Sequence, residues 1–428
     1  MAKKNILIVS FFYPPINMVA TDRAVKFVDE LLERGFRVSL ITNSHRGLAE
    51  KFADFTQDIE HPNLQIYRVP FMKYTEPNFL YDKKYNLIAR VLSISFVAFI
   101  FRMFYDWGIG WNRGVSKMAE KIILDDKPHI IFSTGAPFTP FWPLSRLSRK
   151  YRIPLVLDYR DLWSESPVGL GPLANRFIAR FIEKKVNKQA TLITTVSEGC
   201  AQIINAATVH AQSKVKVLYN FPSHKYRDWL LSIQAKHAPA PAPQTGKLKL
   251  IYAGSMYPNA DFGAILNAIS LLSKEELEKL QFTYCGLAGR QVRSQFKQFG
   301  LETIFYDKGY LTKEDTVKEL LDSDMMISVV KNADFTNDPI ISGIITTKIF
   351  DYIILNKRVL NICPKGAELL TLIQRYQLKN IHSFTSSETL RIKEFIQQML
   401  SEGHLPPIPV TDSPLKWESQ DFSWFDNL

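Results

Sequence analysis

The sequence predicts two doubly wound α/β domains in tandem, and three observations carry that expectation. Short apolar strands alternate with amphipathic helices along nearly the whole chain. The alternation is interrupted by a low-complexity stretch, APAPAPQTGK at 238–247, which reads as an extended linker or exposed loop, and it then begins again. A length of 428 residues is ample for two cores of this kind.

The first unit opens with the strand NILIVS, a loop carrying Pro14 and Pro15, and a helix from about Thr21 to Glu33. Ala24, Phe27, Val28, Leu31 and Leu32 follow helical spacing, and Gly35 ends the helix. FRVSLIT follows at once, so the segment is βαβ and requires a right-handed crossover in a parallel sheet. LQIYRV, HIIFST, PLVLDY, TLITTV and KVKVLY continue the sheet, placing a first domain at 1–222. LKLIYAG, QFTYCG, TIFYDKGY, DMMISVV and KRVLNIC form a second at 247–404. The tail, 405–428, is proline-rich and then aromatic (Trp417, Phe422, Trp424, Phe425), too apolar for a solvated end and expected to dock on a domain.

Composition narrows the function. With 46% hydrophobic and 22% charged residues the chain is far from the composition of disorder. Three scattered cysteines without a CxxC or Cys/His cluster argue against a disulfide framework or a structural zinc, and fit a reducing compartment. The start, MAKKNILIVSFF, lacks the long apolar core of a secretory signal, so a cytoplasmic location is expected. A net charge of +11 calls for an anionic partner: nucleic acid, an anionic membrane surface or a phosphorylated substrate. Nucleic acid is the weakest of these, because the basic residues are dispersed and form no recognition module.

The run from Val91 to Phe101 is well short of the roughly 20 residues needed to span a bilayer. Trp107, Trp111, Lys83, Lys84, Arg90, Arg102 and Arg113 surround it. The segment at 87–111 is therefore either a buried core helix or a stretch lying in a membrane interface. The Trp and basic residues at its ends favour the interface, and with it peripheral attachment to the inner face of the cell membrane.

In open α/β sheets ligands sit beyond the carboxyl ends of the strands, so the loops there are searched first. The first, FFYPPINMVATDR, lacks GxGxxG, which argues against NAD; Arg23 stands near a helix start, where it can meet an anion. STGAPFTP at 133–140 offers Thr134 and Gly135 to a polar substrate, although such loops also arise from capping alone. The next strand ends in Asp158-Tyr159-Arg160-Asp161-Leu162-Trp163. Continued alternation would put Asp158 and Arg160 on one face, as a functional group or as a structural ion pair. In SGIITTKIFDY, Thr346 and Thr347 open a helix whose free N–H groups suit phosphate. Asp351, one turn after Thr347, is placed for ribose hydroxyls, the alternative being a capped helix with a solvated Asp.

Together these elements, with TTVSEG at 194–199 and YAGSMY at 252–257, resemble the GT-B glycosyltransferases, in particular retaining family 4 and its polysaccharide-biosynthesis members. The resemblance implies a nucleotide-sugar donor on the C-terminal domain and a glycan or lipid-linked acceptor on the N-terminal one. Asp351 resembles the second acid of the family's E-x7-E element, whereas the first acid's place holds Gly343. The family's diphosphate-clamping Arg and Lys are also missing, since Gly254 is followed by Ser255, Met256, Tyr257, Pro258 and Asn259. Gly254 and Ser255 then offer backbone contacts to the donor, and the available cations are Lys348, Arg290 and Arg23, with Lys348 favoured. Arg160 and Asp161 stand where many members carry His-Asp, so Arg160, Asp161 and Lys348 are the expected catalytic groups, with Arg23, Thr134, Gly135 and Asp158 on the acceptor side. Neither a metal nor a cofactor is expected. Two alternatives remain: a catalytically inactive GT-B subunit that binds a partner transferase, and a nucleotide-sugar 2-epimerase of the same architecture.

Overall fold

The computed structural model describes residues 4–16, 19–44, 60–70, 106, 108–166, 173–207, 214–237, 246–254, 262–402 and 415–428. These form two compact units, residues 1–219 with 420–428, and residues 220–419.

Among the described residues the first unit holds a seven-stranded sheet in the order β3-β2-β1-β4-β5-β6-β7. The strands are β1 (Asn5–Ser10), β2 (Arg37–Asn43), β3 (Leu64–Val69), β4 (Ile130–Gly135), β5 (Leu155–Tyr159), β6 (Leu192–Thr195) and β7 (Val215–Val217). All neighbours pair in parallel. β1, β4, β5 and β6 are buried along almost their whole length, which is why they read as continuous apolar runs rather than alternating ones. The helix Val19–Glu33 makes the first crossover, with Phe27, Val28 and Leu31 fully buried.

The second unit repeats the plan with six strands in the order β10-β9-β8-β11-β12-β13. They are β8 (Leu248–Ala253), β9 (Leu280–Cys285), β10 (Phe305–Gly309), β11 (Met325–Val329), β12 (Arg358–Ile362) and β13 (Ile381–Phe384). In both sheets the order reverses between the first strand and the fourth (β1/β4, β8/β11), and a ligand crevice opens at the carboxyl ends of such a pair.

The division falls at Tyr219/Asn220, so the helix His224–Lys236, which the sequence leaves between its two domains, belongs to the second unit. The chain finally returns to the first unit. Phe422 packs edge-on against Phe27, and Phe425 lies 6.2 Å from Phe132. Lys4 donates to the Asp426 carbonyl and Lys216 pairs with Asp421. Trp417 stays with the second unit, its backbone N–H donating to the Pro222 carbonyl.

No helix among the described residues is long and apolar enough to cross a membrane. Most of the expected interfacial stretch at 87–111 lies outside the described residues. Trp111 does not, and it is a correction: it is buried in the first core, stacked edge-on against Phe11, its indole N–H donating to the Val69 carbonyl.

Candidate active site

In the first unit the sheet register places Thr134, Asp158 and Thr194 side by side on β4, β5 and β6. Both threonine hydroxyls donate to the Asp158 carboxylate at 2.7 Å. Arg23 reaches the same carboxylate from the first helix in a bidentate pair, Nε at 2.9 Å and Nη2 at 2.6 Å, and Nη1 donates to the Leu218 carbonyl. Both charges are fully buried. This corrects the sequence expectation for Arg23 and Asp158: they face each other and not an acceptor or a diphosphate. A buried pair of this quality joins elements distant in the chain.

The face-sharing expected of Asp158 and Arg160 also fails, because β5 ends at Tyr159 and Arg160 lies beyond it. Arg160 is mostly buried, pairs with the exposed Asp161 at 3.2 Å and lies 5.6 Å from the Phe12 ring centroid. The loop they occupy is held from two sides. Trp163 stacks on Phe138 at 5.6 Å, tying it to the 133–140 loop. Glu183 accepts from the Ser164 hydroxyl and N–H, tying it to the helix Leu173–Gln189; burial pushes this carboxyl up to about 7. Asp106 fixes the 133–140 loop by accepting from the N–H groups of Phe138 and Thr139, and burial pushes it up to about 6. Gly135 is buried, and a Cβ there would sit 2.3 Å from the Phe138 ring, so only glycine fits.

In the second unit β8 delivers Tyr252 and then Gly254, whose φ of +118° suits glycine. Lys348, first residue of the helix Lys348–Ile354, reaches to the same place. Its Nζ lies 3.8 Å from the Tyr252 ring centroid, and a Cβ on Gly254 would lie 3.1 Å from Nζ. Nζ is buried and has no hydrogen-bond partner among the described residues; burial depresses it to about 7. The buried Thr346 hydroxyl beside it in sequence also lacks a partner. Thr347 stands at the N-cap without a side-chain cap bond, and the helix is only seven residues long, so the cation rather than the helix dipole dominates there.

Asp351 is not a solvated acid. Its Oδ1 accepts from the Tyr226 hydroxyl at 2.9 Å, and Lys313 sits over the Tyr226 ring. Gly343, at the place of the family's first acid, closes the short helix Pro339–Ser342, its N–H donating to carbonyls of that turn. Arg290 is exposed near the start of the helix Gly289–Gln298, beside an open cleft of about 510 Å³ lined by Gly286, Leu287, Gly289, Asp307 and Tyr310 among others. A Cβ on Gly289 would lie 1.8 Å from Asp307 Oδ2, which brings that helix start hard against the acid. Tyr284 connects the two places. It stacks on Tyr252 at 6.1 Å, donates to the Gly254 carbonyl, and accepts from the Ala288 N–H.

Ser255 lies outside the described residues. Tyr226, Tyr252 and Tyr284 were missed as site residues by sequence reasoning. The burial phase of β8 and β9 was the available signal for the last two, and nothing local marks Tyr226.

Residues 20–220 match the glycosyl transferase 4-like domain family. The first unit is similar to a glycosyl transferase 4-like domain. With two parallel α/β units, the chain has the GT-B fold, as the sequence predicted. No curated protein matches the sequence. Among solved structures, sucrose-phosphate synthase from Thermosynechococcus elongatus superposes with a TM-score of 0.59 at 10% identity, over 94% of this chain and 90% of the other. Anabaena HepE in complex with UDP gives 0.55 at 13% identity, over 97% and 93%. TarM gives 0.57 at 11%, over 93% and 92%. At these identities the likeness is one of fold.

Proposed function

We propose that the protein transfers a sugar from a nucleoside-diphosphate sugar, with UDP as the nucleotide, to a glycan or lipid-linked acceptor in cell-surface polysaccharide assembly at the inner face of the membrane. One observation carries the donor half: Lys348 is a desolvated ammonium with no acceptor among the described residues. Leaving such a group unpaired costs stability unless an anion completes it, and a diphosphate supplies that anion. The UDP bound by Anabaena HepE, on the same fold, supports the choice of nucleotide.

In the proposed reaction the bond between the anomeric carbon and the β-phosphate oxygen breaks, and Lys348 and the Thr346 hydroxyl meet the charge that builds on the phosphate. Gly254, with no side chain, leaves room for a phosphate oxygen beside Nζ. Asp351 and the Tyr226 hydroxyl take the ribose, and the Gly286–Tyr310 cleft, with Arg290 at its edge, takes the base. Arg160 and Asp161 act on the acceptor side. As the acceptor hydroxyl oxygen bonds to the anomeric carbon, its proton passes to the departing phosphate oxygen on the same face, which retains the anomeric configuration. Charge compensation by Lys348 assigns no step to a metal.

A panel of UDP- and GDP-sugars tests the proposal by thermal shift together with nucleotide release. One UDP-sugar is expected to raise the melting temperature and release UDP slowly without acceptor. No shift with any donor would overturn the donor assignment and return the chain to the inactive-subunit alternative.

A further inference from the structure

The helix Leu173–Gln189 carries an apolar face that stands exposed among the described residues. Phe177 is 72% exposed, Phe181 60% and Ile178 41%, whereas Ala179, Ile182, Val186 and Asn187 on the opposite side are buried. Two phenyl rings four residues apart point off the same side of a helix, and one exposed aromatic there would need no explanation, but an aromatic pair flanked by Ile178 does.

The charges on that helix are sorted in the same way. Its acid, Glu183, is withdrawn into the core, where it binds Ser164. Arg180, Lys184, Lys185 and Lys188 all stand exposed, and Lys185 lies over the Phe181 ring at 4.2 Å. Arg176 is engaged by Glu165 at the start of the helix, an acid that Arg180 also approaches, at 3.9 Å. The exposed face therefore joins aromatic rings to four cations with no exposed acid of its own helix. A protein partner with an apolar patch would not call for that charge, and an acidic partner would not call for the rings. An anionic bilayer satisfies both, the rings entering the acyl boundary and the lysines meeting the headgroups.

We infer that the Phe177–Phe181 face of this helix, with Arg180, Lys184, Lys185 and Lys188, docks the protein on an anionic lipid surface. The surface is distinct from the 87–111 stretch, and the inference takes from the proposed function only the lipid-linked acceptor. The geometry gives docking a purpose. Glu183 and Arg176 on this helix grip Ser164, its hydroxyl and carbonyl respectively, so the loop bearing Arg160 and Asp161 is fastened to the helix that meets the membrane.

Sedimentation of the full-length protein with phosphatidylglycerol-containing vesicles, against pure phosphatidylcholine vesicles, tests this. The wild type is expected to pellet with the anionic vesicles, less so in 0.5 M salt, where screening shortens the reach of the lysines to a few ångströms. Phe177→Ser with Phe181→Ser should lower the partition at least tenfold with an unchanged melting temperature, because the rings are exposed. Lys184→Glu with Lys185→Glu should do the same by charge alone. Wild type left in the supernatant, or both double variants partitioning as the wild type does, would overturn the inference. So would size-exclusion chromatography in which the phenylalanine variant changes only the oligomeric state, since the face would then seat a second copy. A UDP thermal shift on the same preparations separates the two proposals: stabilisation without vesicle binding overturns only the membrane face, and vesicle binding without stabilisation overturns only the donor site.

Discussion

Arg23 in the first unit and Lys348 in the second both carry a buried cationic group, and they are opposites. The Arg23 guanidinium has a carboxylate, a carbonyl and two supporting threonines around it. The Lys348 ammonium has a tyrosine face and, among the described residues, no hydrogen-bond acceptor. Burial alone does not distinguish structure from function, since both groups stand in loops or helices beyond the carboxyl ends of parallel strands. Satisfaction does. A buried charge whose partners are complete has reached its free-energy minimum within the chain, and one without partners reaches it only when a ligand arrives.

The contrast is broken most forcefully at the first unit. Asp158→Ala leaves Arg23 charged and buried without its carboxylate. The expected cost is about 3–5 kcal/mol, which for a unit of this size lowers its melting temperature by roughly 6–20 °C in calorimetry. An unchanged transition would mean that the cluster is not structural.

Lys348→Met should do the reverse. Removing an unpaired charge leaves the unliganded melting temperature unchanged or raised, while UDP affinity by titration calorimetry falls about ten- to hundredfold. The pH dependence sharpens this further. Free Lys348 is depressed to about 7, and a bound diphosphate holds the proton on. Above pH 7 binding must therefore take up a proton, so affinity falls as pH rises, approaching about tenfold per unit between pH 8 and 9. A flat profile in the wild type, or the same slope in Lys348→Met, would remove the lysine from the diphosphate.

The smallest effect belongs to Asp351→Asn. The amide oxygen still accepts from the Tyr226 hydroxyl, so stability should hold, and the lost charge should cost about threefold in UDP affinity. No change in affinity would leave Asp351 as a support for Tyr226 alone.

Much of the fold was readable in the chain. NILIVS, HIIFST and QFTYCG became β1, β4 and β9, because strands buried on both faces need unbroken apolar runs and helices that cover them need a stripe. The candidate site was readable in part. TTKIFDY placed Lys348 and Asp351 on one short helix. Asp158 and Arg160 were misjudged because alternation along a strand says nothing about where the strand stops, and the end of β5 at Tyr159 separates them. Trp111 was misjudged because a tryptophan in a basic, aromatic stretch has the same composition whether it meets lipid or Val69.

Local order along the chain thus determined the two parallel sheets, the loops beyond their strands and the residue types those loops offer. Only the tertiary structure decided which charge is answered. Arg23 finds its acid 135 positions away and Asp351 its tyrosine 125 positions away, whereas Lys348 finds no acceptor among the described residues. Pairing of that kind depends on distances through space, set by strand register and helix packing, and sequence neighbours do not encode it.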